Sequence, residues 1–193
     1  MEPMSMQDEI LDFWFGPSDS PAFGEARGLW FRKDDAVDRS IRERFGAAVE
    51  TAIAGGFSDW IEPRNALARV LLLDQFTRNI FRETAGAFAG DELALEVSKI
   101  TVGSGGDRVL APVERWFLYM PFVHAEDRAA QERSLELFTK LRDETGLGDP
   151  LVWAERHAAV IRRFGRFPHR NAFLGRASTP EEIAYLAKPG SGF

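Results

Sequence analysis

Residues 162–171 read Arg162-Arg163-Phe164-Gly165-Arg166-Phe167-Pro168-His169-Arg170-Asn171, four arginines set among two phenylalanines, a histidine and an asparagine. A guanidinium is planar, offers paired donors and keeps its charge, so a cluster of them demands carboxylates or phosphates nearby. The anion can belong to a ligand clamped by paired arginines. It can also belong to the protein, with Asp74, Glu114 and Glu126 as the internal carboxylates that would lock this segment onto the fold. Arginines beside Phe164, Phe167 and Phe173 also have the makings of a base-stacking platform for nucleic acid.

Two further constellations carry chemistry. At ~100° per helical residue, Asp74, Gln75, Arg78, Asn79 and Arg82 fall within an arc of roughly 140° that also holds Leu67 and Leu71. Charges that continue an apolar stripe face inward or into a cleft, where each must be paired. An Asp74–Arg78 pair at i, i+4, with amides tying helices together, is the structural alternative. The second constellation is Glu114, Arg115, Tyr119, His124, Glu126 and Asp127. A histidine beside carboxylates suits acid–base work, with Glu126 as the group that would orient His124. His169 follows Pro168 in an irregular segment past a helix end, where functional groups concentrate, whereas His157 lies on an apolar stripe and reads as core.

The candidate catalytic residues are therefore His124, Glu126 and His169. The candidate ligand-binding set is Asp74, Arg78, Asn79, Glu114, Arg115, Tyr119, His124, Arg163, Arg166, His169, Arg170 and Asn171. No nucleophile stands out: Gly103-Ser104-Gly105-Gly106 lacks the lysine of a phosphate loop, and Gly-x-Ser-x-Gly is absent. His124-Ala125-Glu126 lacks the i, i+4 histidine pair of a metalloprotease helix, so neither a metal nor a cofactor is expected.

The wider composition limits the partners. A chain of 193 residues suits one domain. The absence of cysteine removes disulfides, thiolate metal sites and thiol nucleophiles. Net charge is −6, but residues 155–176 carry +5, leaving −11 elsewhere, so the basic patch is local and a nucleic-acid or membrane surface is not expected. Met1 to Asp12 lacks a basic start followed by an apolar run, and no later segment has eighteen uncharged apolar residues, which points to the cytoplasm.

Helical periodicity dominates the elements that must position these groups. Ser5 opens a helix ended by Gly16-Pro17, Asp34 or Asp35 opens a second ended by Gly55-Gly56, and Pro63 opens a third reaching about Ile80. The third is apolar nearly all round, so it is central and its polar residues are buried. Asp91 caps a fourth helix, Pro112 starts a fifth that Pro121 should kink or end, and Asp127 restarts a sixth. Asp149-Pro150 opens a seventh running to Gly165, and Thr179-Pro180-Glu181-Glu182 opens a last short one with a capping box. The expected class is all-α, about eight helices in antiparallel hairpins stacked as in tetratricopeptide solenoids, although no 34-residue consensus repeat is present.

Phe13-Trp14-Phe15-Gly16, Trp30-Phe31 with Lys33-Asp34, Asp74-Gln75-Phe76 with Arg78-Asn79, Glu114-Arg115, Tyr119-Met120-Pro121, His124, and Arg163 through Asn171 together resemble the DUF924 family. The resemblance covers nearly the whole chain. It implies a single-domain, mostly bacterial, all-helical protein with a right-handed, tetratricopeptide-like α-α stack, and three polar constellations that converge on one site. It implies no reaction. Thr77 stands where the family usually has proline, Val37 where an aromatic is common, and Ala125 where serine is usual, which denies a hydroxyl beside His124. The expectation is a soluble scaffold whose cleft takes a small anionic ligand or an acidic peptide end. The alternatives are an enzyme on a similar anionic substrate and a purely structural polar network.

Overall fold

Most helices begin where a short polar side chain can accept from a free backbone N–H or where a proline removes one such donor. In the computed structural model, which describes residues 4–30 and 32–192, Ser5 accepts from the amide of Asp8 to start α1 (Met6–Phe15). Asp34 accepts from Ala36 and Val37 to start α2 (Asp35–Ile53). Phe31 of the Trp30-Phe31 pair, the first three residues of the amino-terminal stretch and Phe193 lie outside the described residues.

The end of α1 is sealed from a distance. Arg27 donates to the carbonyls of Phe13 and Trp14, and the Trp30 indole N–H donates to Trp14 as well. Gly16, at φ +84°, then turns the chain away.

Proline opens the central helix, which runs without a break through α3 (Pro63–Val70), a π-helical stretch (Leu71–Phe76) and α4 (Thr77–Ile80). Leu67, Val70, Leu71, Leu72, Leu73 and Phe76 are all completely buried, so the all-round apolar pattern does mark the centre of the molecule. Full burial of each such side chain contributes on the order of 2 kcal/mol. The polar arc of residues 74–82, roughly 140° wide, meets more than one neighbouring helix and is divided between them. Asp74 and Arg78 turn toward α5 (Asp91–Gly103) and α6 (Pro112–His124), whereas Asn79 and Arg82 turn to Asp38 of α2.

Pro121 does not end α6, which continues to His124. Asp91 does not cap α5: the cap position is Gly90, and Asp91 is the first helical residue with its carboxylate free to reach elsewhere. Asp149 is likewise one residue inside its helix, with Gly148 at the cap. Asp127 caps α7 (Arg128–Thr145) as expected, and α8 (Asp149–Phe164) ends on Gly165 at φ +72°. The helices α6, α7 and α8 pack side by side in sequence, and α5 lies against both α3 and α6. Past α8 comes a 3-10 turn (Pro168–Arg170) and then α9 (Pro180–Leu186), whose Thr179–Glu182 capping box is formed. Among the described residues, counting α3 to α4 as one helix gives eight helices and no strand.

Candidate functional site

Asp74 lies in the middle of the π stretch and is fully buried. Its Oδ1 accepts from His124 Nδ1 at 2.7 Å, its Oδ2 accepts from Gln75 at 2.6 Å, and Arg78 stands 3.2 Å away. Burial alone would push this carboxyl up. The Arg78 charge and the His124 contact outweigh it and hold Asp74 well below the usual carboxylate range. An ionised carboxylate can only accept, so His124 carries its proton on Nδ1. Burial, and then the neighbouring Arg78, push the His124 pKa down, which keeps the ring neutral near pH 7 and leaves an unshared pair on Nε2.

Arg78 and Arg170 meet on Asp91. Arg78 donates to both carboxylate oxygens at 2.9 and 3.1 Å, and Arg170 donates to Oδ2 at 3.0 Å. The second terminal nitrogen of Arg170 donates to the backbone carbonyl of His124 at 2.9 Å. Its guanidinium lies 4.6 Å from the ring centres of both Phe88 and Phe167, a cation held between two aromatic faces. Arg170 Nε is buried without an acceptor. Burial, followed by repulsion from Arg78, lowers the Arg170 pKa to about 10. Arg78 moves the other way: Asp74 and Asp91 more than offset its own burial. The rim is open, with Arg78 20% exposed, Asp91 17% and His124 12%.

All three histidines of the chain belong to this corner. The His124 and His157 rings are 6.1 Å apart, and Phe167 packs edge-on to His157 at 5.5 Å and against His169 at 5.6 Å. Burial lowers the pKa of His157 to about 3 and that of His169 to about 4, helped in both by neighbouring positive charge. His157 is buried and contacts the Trp153 carbonyl at 2.8 Å, in keeping with its reading as core, and its ring also borders that of His124.

The structure divides the candidate residues into three groups. Asp74, Arg78, His124, His169 and Arg170 come together. A second group is at the far end of α6, about 15 Å along the helix from His124. There Glu114 accepts from Arg64 and from the Ala111 amide, while Arg115 reaches Glu144 and Tyr119. The Tyr119 hydroxyl donates to Asp107 at 2.5 Å, and burial together with that bond raises its pKa.

The third group fastens the carboxyl-terminal segment. Arg163 pairs with Glu181, and Arg166 grips both oxygens of Glu182, which also accepts from Asn171. Asn79 is apart from all three, bound to Asp38 at 2.7 Å. Glu126 does not orient His124; it accepts from the Phe167 amide and from both terminal nitrogens of Arg176. Among the described residues no three histidines, aspartates or glutamates are grouped to hold a metal ion.

Sequence reasoning missed Asp91, whose helix-starting position suggested a cap, and the aromatic partner Phe88; Phe167 was singled out, but as a platform for bases and not as a face for Arg170. A carboxylate directly after Gly90 was the one available signal, because a glycine can itself fill the cap position and leave the acid free.

The fold and the site define an all-helical protein with a buried arginine–carboxylate–histidine cluster opening at one rim. Its sequence matches, over residues 10–190, the family described as a bacterial protein of unknown function, DUF924, and the chain belongs to that family. A solved structure of a protein of unknown function, ATU0120 from Agrobacterium tumefaciens, is similar to it at 41% identity and a TM-score of 0.81, with 94% of this chain and 96% of that one covered. No curated protein matches the chain. Among the described residues no helix is long and apolar enough to cross a membrane.

Proposed function

We propose that this is a cytoplasmic binding protein whose Arg78–Arg170 pair, with His124 at the rim, receives one anionic group of a small ligand or of an acidic peptide end. The observation that carries this is that two guanidiniums share the single carboxylate of Asp91 while a buried N–H of Arg170 has no acceptor. Asp74 and Asp91 together match the two arginine charges, so what is left over is donor capacity and not charge. A second arginine brought in at the expense of its hydration, with one N–H unmatched, fits an arrangement with a place for a further acceptor.

Nucleic acid is a poor partner. Arg163, Arg166 and Arg176 are engaged by Glu181, Glu182 and Glu126, so little of the basic segment is left for a polyanion. A second reading, an enzyme on an anionic substrate, is favoured by one observation: Asp74 fixes the tautomer of His124 as an acid–base site requires.

The test is a calorimetric titration with inorganic phosphate and, separately, with citrate. Asp91→Asn removes the competing internal carboxylate and should bind at least one of these anions several-fold more tightly than wild type. Arg170→Gln should lose binding, and Arg163→Ala, remote and exposed, should not differ from wild type. If neither wild type nor Asp91→Asn responds to either anion, the proposal fails.

A further inference from the structure

Among the anions that paired arginines hold, a phosphoryl group has an electrophilic centre, so the groups beside the clamp decide whether it is only held. Asp74 is completely buried and engaged by His124, Gln75 and Arg78. Asp91 is occupied by two arginines. The Thr77 hydroxyl is buried and donates to the Leu73 carbonyl, and the chain has no cysteine. His124 differs from these. Its Nδ1–H is fixed on Asp74, its ring reaches the rim, and its Nε2 has no protein partner among the described residues.

We propose that His124 Nε2 is a phosphoryl acceptor, forming a phosphohistidine from donors with a good leaving group, while Arg78 and Arg170 hold the transferring phosphoryl oxygens. The Nε2 lone pair attacks phosphorus and a P–N bond forms. The P–O bond to the leaving group breaks, and that group departs with the electron pair. With acetyl phosphate the leaving group is acetate, which needs no proton. The ring, now carrying both the phosphoryl group and the Nδ1 proton, is positive, and Asp74 at 2.7 Å balances it. Water attacking phosphorus then returns the pair to Nε2 and releases inorganic phosphate. Burial and Arg78 favour this chemistry by keeping the free imidazole unprotonated, hence nucleophilic, at neutral pH.

The inference rests on the anion-binding proposal for its clamp, and the two can fail separately. The full-length protein is incubated with acetyl phosphate, and adducts are mapped by tandem mass spectrometry under alkaline conditions that preserve phosphohistidine. The expected result is one phosphoryl group on His124, labile to acid, absent from His124→Asn, and formed at least tenfold more slowly in Asp74→Asn. Because the site is mapped on wild type, the result does not depend on either variant folding. Label on another residue would overturn the inference. So would no label in a protein that binds inorganic phosphate, leaving the binding proposal intact. Neither label nor binding would overturn both.

Discussion

A methyl group at Gly90 would sit 2.3 Å from the carbonyl oxygen of Leu73 and 2.9 Å from its carbonyl carbon and Cα. That is roughly 1 Å short of ordinary contact, against backbone rather than a side chain that could swing away. The backbone in question is the π stretch that carries Asp74, and the residue after Gly90 is Asp91. Gly90→Ala must therefore push apart the two segments that supply the carboxylates of the site. Overpacking of this kind costs about 1–3 kcal/mol, and immobile helical backbone places the change at the upper end. At about 2–4 °C per kcal/mol, the melting temperature should fall by roughly 6–12 °C.

Gly90 is also the cap of α5, and alanine caps poorly, so Gly90→Ser is the informative partner. Serine restores capping chemistry but keeps the clash, and it should be destabilised as severely. At the other end of the same helix nothing lies within 4 Å of a Cβ built on Gly103, and alanine there should be neutral or up to about 1 kcal/mol stabilising. Urea unfolding of the three variants decides the matter. A Gly90→Ser protein as stable as wild type, or a loss below about 1 kcal/mol in Gly90→Ala, would refute the steric argument.

The remaining predictions concern charge. The three histidines have folded pKa values below their unfolded ones, so the unfolded chain takes up their protons first; stability should decline as pH falls below about 6.5 and keep declining toward 4. The depressed carboxylates Asp74, Glu126 and Glu182 add a second loss below about pH 4.5, continuing to about 2 for Glu182; a urea midpoint that is flat from pH 7 to 4 would contradict the histidine assignment. Asp74→Asn should cost about 3–5 kcal/mol in urea unfolding at pH 7, since it strips a buried partner from both Arg78 and His124. Arg163→Ala, which breaks an exposed pair, should cost under about 1 kcal/mol. Glu126→Gln should speed amide exchange in residues 167–192 while α3 is unaffected; uniform exchange rates across both segments would show that Glu126 does not anchor this part of the chain.

Helix starts and stops were legible because they depend on local chemistry. Ser5, Asp34, Asp127 and the Thr179–Glu182 box open helices, and Gly16 and Gly165 close them, each within one turn of its own signal. The starts at Asp91 and Asp149 were read one residue late for the same local reason, as glycine gives no side-chain signal when it fills the cap. The partition of the site was not legible. Asp74 and Asn79 stand at the two ends of the roughly 140° arc, and helical spacing alone cannot say that a different helix packs against each end. Nor could spacing reveal that Arg163 and Arg166 turn to α9 while Arg170, four residues on, turns inward. That division depends on where Glu181, Glu182 and Asp91 come to rest in the fold. The Asp74–His124 contact spans fifty residues and was equally out of reach, although both partners were individually suspected.

With all three of the chain's histidines gathered at one corner, the imidazole region of its proton NMR spectrum is a private view of that corner. In an untagged sample each imidazole resonance arises at the cluster, so a titration with any candidate ligand reports on it without isotopes, dyes or substitutions. A compound that moves none of them has bound elsewhere or not at all, and a mixed pool of metabolites can be screened on that signal alone.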